Sequence, residues 1–229
     1  MTLEKALKEL EGCGSPQNRK VYARHGVGRN MYGVSFANLN VLKRKIRVDH
    51  DLALALWQTG NHDARVLATM IADEKQISWE LLELWAQDLD NYIIADSFAG
   101  LAARMAEARA AIERWTASDH EWISRAGWQL LAILAMRAPD LTDDYFDPWL
   151  NLIATSIHSR KNRVKDAMNS ALIAIGIRNG TLRQRALAVA GRIGKVEVDH
   201  GKTDRQTPDA IEYIAMTWER KKTQEKNSG

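Results

Sequence analysis

Apolar residues recur every three to four positions along almost the whole chain, and sustained alternation of apolar and polar residues is rare. That period predicts helices throughout. Leu3, Ala6, Leu7 and Leu10 form one stripe, ended by Gly12 and Gly14, and a short helix is expected over 18–25. Glycines 26, 28 and 33 then interrupt the pattern before Ser35, an N-cap for a helix over 36–46. Further helices are expected over 51–57, from Asn61 or His62 to Ala72, over 79–87 behind Ser78, and from about Asp90. Beyond these the pattern predicts pairs at 105–115 with 119–137, and 142–157 with 161–177, then a helix over 181–193. The stretch VEVDHGKTDRQ reads as irregular or briefly extended. Thr207 as the cap, Pro208 at the first helical position and Asp209 in the first turn then open a last helix running to about Trp218, with a loose polar tail from residue 220.

A weak repeat runs through these helices. HDARVLATM, EWISRAGWQLLA, NRVKDAMNSALIAIG and LRQRALAVAG each place a polar turn before a basic residue, a small residue and an apolar helix. Arg65, Arg125, Lys165 and Arg185 hold comparable slots. Paired helices whose second member carries small residues suggest an all-α solenoid, residues 1–219 forming one domain with a concave face. An irregular all-α bundle is the alternative. In the solenoid, the charged residues that start the second helices line one face.

Charge sharpens this picture. The net charge is only +3, yet nine Lys or Arg face one acid, Asp166, between Arg160 and Lys195. Lys43, Arg44, Lys45 and Arg47 form a second basic knot, and between them residues 73–96 carry seven acids against one base. Such clustering is a footprint for a polyanion. No run reaches the roughly 20 apolar residues that span a bilayer, and the first residues lack the apolar core of a signal peptide. A single cysteine, Cys13, offers neither an internal disulfide nor a zinc cluster, so a reducing cytoplasm is the expected address. Asp199-His200 has no third ligand at useful spacing and reads as a turn; His62-Asp63 reads as a capping pair. No metal and no cofactor are expected. GVGRNMYG lacks the strand and the Gly-Lys-Ser/Thr of a phosphate loop. Trp115, Trp122, Trp128 and Trp149 fall at helical spacing and are expected in the core.

The candidate chemistry lies between Trp85 and Trp128. Tyr92 and Asp96 are four residues apart and share a helix face, so a ring can stand beside a carboxylate. Core packing for the ring and local pairing for the carboxylate are the plain alternative. The surrounding segments, YGVSFANLNVLKRKI, DLALALWQTGNHDARVLATMIAD, DLDNYIIADSF, ERWTASDHEWISRAGWQLLA, NRVKDAMNSALIAIG and IGKVEVDHGKTDRQTPDAIEYI, resemble the AlkD-type DNA alkylation repair proteins. These are HEAT-like repeat proteins that excise positively charged alkylpurines. The last two segments resemble an uncharacterised subgroup more than the glycosylase itself.

That resemblance implies a HEAT-like solenoid with Asp96 as the catalytic carboxylate and Arg125 as a phosphate contact. Tyr92 stands where the glycosylases have a Trp against the deoxyribose. A second lesion-facing Trp falls near Ser170, and relatives often carry Cys where Arg205 stands. The implied activity is hydrolysis of the glycosidic bond of a cationic alkylated purine in double-stranded DNA, by a monomer. The sugar gathers positive charge in the transition state, which a fixed carboxylate stabilises. An aromatic face adds cation–π attraction and Arg a planar fork for phosphate. Lys43, Arg44, Arg163, Lys165, Arg183 and Arg185 are the expected DNA contacts along the basic repeats. A non-catalytic protein that binds damaged or branched DNA is the second reading, favoured by the missing Trp residues. A protein-interaction scaffold is the third.

Overall fold

The computed structural model describes the backbone of residues 1–228 and the side chains of residues 1–224. Among them are thirteen α-helices, two short 3-10 turns and one isolated antiparallel bridge, between Gly14 and Val34. The chain divides into two compact units. The first holds residues 1–111 with 200–204, the second residues 112–199 with everything from Arg205 onward.

In the first unit the helices are α1 (Leu3–Cys13), α2 (Pro16–Arg24), α3 (Phe36–Ile46), α4 (His50–Gln58), α5 (His62–Ile71), α6 (Trp79–Gln87) and α7 (Tyr92–Ala102). Each has a side-chain cap: Thr2, Ser15, Ser35, Asp49, Asn61, Ser78 and Asn91 accept from backbone N–H groups of the first turn. Such caps occupy donors that the helix itself leaves unmatched. α5 is the inner helix, packed against α3, α4 and α7. Ala64, Ala68, Ala95 and Ala99 are fully buried at these crossings, which lets the backbones approach closely. Trp57 and Trp85 stack at 4.2 Å with Arg65 over the Trp57 ring, and Arg65 also pairs with Asp88 at 2.9 Å.

α8 (Ala108–Thr116) leads into the second unit, followed by α9 (Glu121–Arg137), α10 (Asp147–Ser156), α11 (Asn162–Gly176), α12 (Gly180–Ile193) and α13 (Ala210–Ser228). The most extensive helix packing is that of α9 along α11. Gly127 sits where α9 meets α8: an added Cβ would lie 2.7 Å from the Thr116 amide nitrogen. Trp115 and Trp128 are buried as expected, whereas Trp122 and Trp149 are half-exposed.

Most boundaries fall within two residues of the sequence reading, and four features differ by more or in kind. The helix expected from Met105 begins at Ala108, because Arg104 turns back onto the Gly100, Thr69 and Ala72 carbonyls. The helix expected over 142–157 is split, with a 3-10 turn at Asp143–Phe146 before α10. Pro148 has no N–H to continue an α ladder back across that join. At α13, Asp209 takes the capping role expected of Thr207, its carboxylate accepting from the Glu212 amide. The helix also continues well past Trp218. Trp218 Nε1 donates to the Gly176 carbonyl and Lys221 Nζ to the Ile177 carbonyl, which fixes it against the end of α11. The stretch from 220 is therefore helical to Ser228, and residue 229 lies outside the described residues. No helix among the described residues is long and apolar enough to cross a membrane.

Candidate nucleic-acid interface

Tyr92 is the first residue of α7 and Asp96 stands one turn later; both are half-buried. Asn91 sets this start, its side-chain oxygen accepting from the Ile93 and Ile94 amides. Its amide nitrogen donates to Asp90 at 2.7 Å and lies 3.4 Å from His62 Nδ1. Burial is the main cause holding His62 below its ordinary pKa, against the opposing pull of the Asp63 and Asp90 carboxylates. The ring is therefore neutral near pH 7 and can accept at Nδ1, which orients the cap of the helix carrying Tyr92 and Asp96.

Those two residues line an open cleft of about 460 Å³ with Val21, Tyr22, His25, Phe36, Ile93 and Ser97. It is built from the C-terminal part of α2 and the first turns of α3 and α7. Tyr92 Oη is hydrogen-bonded to His25 Nδ1 at 2.8 Å, the rings edge to face. Tyr22 donates to the Val34 carbonyl at 2.7 Å, and Ser97 to the Ile93 carbonyl. Burial, then the Asp63 carboxylate and Tyr92, raise the Tyr22 phenol above its ordinary value, so it is un-ionised at neutral pH. Phe36 is 45% exposed, an aromatic ring left towards solvent at the cleft.

The Asp63 carboxylate fixes the loop between α2 and α3. One oxygen accepts from the Tyr32 and Gly33 amides at 2.6 and 3.0 Å, the other from Val34 at 2.9 Å. This corrects the reading of His62-Asp63 as a capping pair. Asn61 caps α5, while Asp63 holds the loop and His62 meets Asn91, the cap of α7. His25, Tyr22 and Phe36 were missed as cleft residues, and Asn91 as the cap of the helix that carries Tyr92 and Asp96. For Asn91 the available signal was an Asn directly before the apolar run YII. For the others there was none, since neighbours from distant segments leave no local pattern.

The expected cationic contacts fall into three groups. Lys43 and Arg44 are exposed on α3. Arg163, Lys165, Arg183 and Arg185 are half-exposed on α11 and α12. Arg185 pairs with Asp147 at 2.8 Å and Arg183 lies over the Trp218 ring. Arg125 belongs to neither kind. Its side chain is 1% exposed, and Nη1 donates to Asp166 Oδ2 at 2.8 Å and to the Arg163 carbonyl at 3.0 Å. Asp166, equally buried, also receives Arg205 Nη2 at 2.8 Å. Of the basic run, Arg178 closes the end of α9 by donating to the Ala135, Ala138 and Leu141 carbonyls. Lys161 donates to the Asp119 carbonyl. Ser170 is half-buried, its hydroxyl turned back to the Asp166 carbonyl. The described residues contain no group of three His, Cys, Asp or Glu side chains able to hold a metal.

Comparison with known proteins converges on one family. Two uncharacterised proteins are each 25% identical to this chain. That of Listeria innocua aligns over 93% of this chain and 96% of its own length, that of Listeria monocytogenes over 97% and 100%. A solved structure is 27% identical with a TM-score of 0.89, covering 96% of this chain and 95% of that one. It represents a family described as related to the HEAT-like repeat DNA glycosylases, with affinity for branched DNA structures. The family model for the DNA alkylation repair enzymes matches residues 6–214. The chain thus belongs to the DNA alkylation repair enzyme family.

Proposed function

We propose that this protein binds DNA where the duplex is branched or distorted, and engages the exposed nucleotides at the Tyr92–Asp96 cleft. The observation that carries this is the cleft itself: three aromatic side chains around one carboxylate, open to solvent, in a chain of this family. Regular duplex keeps its base faces stacked, whereas a branch point presents unstacked bases to aromatic side chains. Lys43, Arg44 and Lys165 supply phosphate contacts, with Arg163, Arg183 and Arg185 contributing where DNA displaces their present partners. Arg125 acts by holding α9 to α11 through Asp166, away from the phosphates.

The test is a binding titration of a three-way junction and a linear duplex of equal length, across salt concentrations. The junction is expected to bind more tightly, and both affinities to fall steeply with salt. Equal affinity for the two shapes, or salt-independent binding, overturns the reading.

Asp96 favours a second reading. A carboxylate on a surface that meets DNA repels phosphate unless it serves a cation or a donor. In hydrolysis of an alkylpurine glycosidic bond it would stabilise the positive charge gathering on the sugar. Released bases are quantified from methylated duplex at protein excess, for the parent and Asp96→Asn. Release confined to the parent supports catalysis, and equal release removes it.

A further inference from the structure

The aromatic rings of the cleft are not equally committed. Tyr22 meets His62 and Tyr92 meets His25, each edge to face. Phe36 lines the same cleft at 45% exposure, and among the described residues no aromatic or cationic group meets its ring. Covering that ring with another flat one removes apolar surface from water, so the position favours a stacking partner from outside the chain. Phe36 also begins α3, and the flank it occupies continues as a cationic one. At about 100° per residue, Phe36, Asn40, Lys43 and Arg44 share an arc of roughly 100°, beside the buried face of Leu39 and Leu42. Asn40 donates to the Phe36 carbonyl, and Lys43 and Arg44 stand exposed two turns beyond the ring. Lys45, on the opposite flank, is paired with Glu9, and α3 itself contains no acid.

From the ring to these cations the helix axis advances about 10–12 Å. A stacked strand covers that span in about three nucleotides, at roughly 3.4 Å each. A base on Phe36 thus leaves the backbone of its own strand within reach of Lys43 and Arg44. The Asp96 charge at the cleft repels phosphate, which sets the base at the ring and the backbone towards the cationic end. An exposed ring followed by cations along one narrow flank suits a single strand. A paired arm covers its base faces by stacking and offers a ring only its terminal pair. We infer that the branched substrate carries a single-stranded arm, held along α3 with its first unpaired base on Phe36 and its backbone on Lys43 and Arg44. This rests on the reading that the cleft engages exposed nucleotides at a branch, and adds the kind of arm the branch carries and the helix that holds it.

The experiment uses the full chain, a linear duplex, a three-way junction with every arm paired, and the same junction with one arm single-stranded over one to ten nucleotides. Affinity is read by fluorescence anisotropy. The single-stranded arm is expected to tighten binding over the paired junction, with the gain complete by about three or four nucleotides. Phe36→Ala should weaken the junction with the single-stranded arm by roughly five- to a hundredfold, the range of one lost base–aromatic stack, and the paired junction by less. Phe36→Leu keeps the apolar bulk without the flat face and should lose as much, whereas Phe36→Trp should keep the full gain, which separates stacking from packing. Lys43→Ala with Arg44→Ala should abolish the dependence on arm length and keep the gain of the first nucleotide. If both junctions outbind linear duplex but bind alike, or the Phe36→Leu variant weakens the two junctions equally or not at all, the arm assignment fails and branch recognition stands. If neither junction outbinds linear duplex, branch recognition fails and the arm assignment with it.

Discussion

The buried Arg125–Asp166 pair allows a direct separation of structure from binding. Both side chains are 1% exposed and meet at 2.8 Å, and Asp166 also receives Arg205, whose side chain is 32% exposed. Removing one member of a buried ion pair leaves the other charge in the interior and costs about 3–5 kcal/mol. Asp166→Ala is the more damaging choice, because it leaves two guanidinium groups facing each other, one of them buried. For a chain of this size each kcal/mol lowers Tm by about 2–4 °C, so Asp166→Ala should lower it by roughly 6–20 °C. Arg125→Ala should lie at the lower end of that range, since Asp166 keeps Arg205. Arg205→Ala removes a partly exposed partner and should cost no more than about 1 kcal/mol. The double variant Arg125→Met with Asp166→Leu should recover most of the stability, as apolar replacements of buried pairs commonly do. Thermal and urea unfolding measure all four, with DNA affinity taken well below each Tm. The reasoning is refuted if Asp166→Ala unfolds within about 1 kcal/mol of the parent, against the expected cost of a broken buried pair. It is refuted equally if Arg125→Ala keeps full stability and no longer binds DNA, which would make Arg125 a phosphate contact.

Three further outcomes are expected. His62 has a depressed folded pKa, so below its unfolded value of about 6.5 the unfolded chain takes up a proton that the folded chain resists. Its contribution is intact above that pH and is lost as pH falls towards the folded pKa; urea midpoints between pH 5 and 7 should therefore slope less steeply in His62→Gln than in the parent. Lys43→Ala with Arg44→Ala removes two exposed cations, and should lower the slope of log affinity against log salt by about 0.9 for each phosphate no longer neutralised, while leaving Tm unchanged. An unchanged slope would remove α3 from the DNA-binding surface. Arg47 has φ +66° at the end of α3, close to the φ +65° that Gly194 adopts at the end of α12. Arg47→Gly should accordingly raise stability by about 1 kcal/mol, measured by urea unfolding, and no gain would mean that the Arg47 side chain offsets its backbone strain.

Helix positions were legible because their signals are local. Ser35 and Ser78 stand directly before apolar periodicity, and α3 and α6 begin one residue later, as read. The failures came where a distant neighbour decides. The sequence near 104 reads as helix, yet Arg104 folds back onto Thr69 and Ala72, carbonyls more than thirty residues earlier. The tail beyond Trp218 is polar and reads as loose, but the chain is held by Gly176 and Ile177 carbonyls some forty residues away. At the site, the four-residue spacing places Tyr92 and Asp96 on one short helix face, and the cleft contains both. The partners that complete it are Tyr22 on α2, His25 at its C-cap and Phe36 on α3, and no spacing rule connects α2 to α7.

Charge was the feature most open to misreading, and the repeat explains why. Arg65, Arg125 and Arg185 occupy the same slot at the start of a second helix, and each pairs with a carboxylate of a neighbouring helix or loop: Asp88, Asp166 and Asp147. Arg104, Arg178 and Lys221 share another task, since each donates to carbonyls at the end of an earlier helix, α5, α9 or α11. Helix ends leave several carbonyls unmatched, and a cation there satisfies both their lone pairs and the negative end of the helix dipole. A helical-repeat chain therefore needs cations in proportion to its helix ends, whether or not it binds a polyanion. Counting Lys and Arg along 160–195 mixes these residues with those turned outward. Lys43 and Arg44, in the shorter basic run, are exposed in the last turn of α3, where the dipole of their own helix favours them. Their neighbour Lys45 is spent on Glu9, but among the described residues neither Lys43 nor Arg44 meets a carboxylate or donates to a carbonyl. The fold leaves their outward charge unmatched, which makes them the stronger argument that this surface meets DNA.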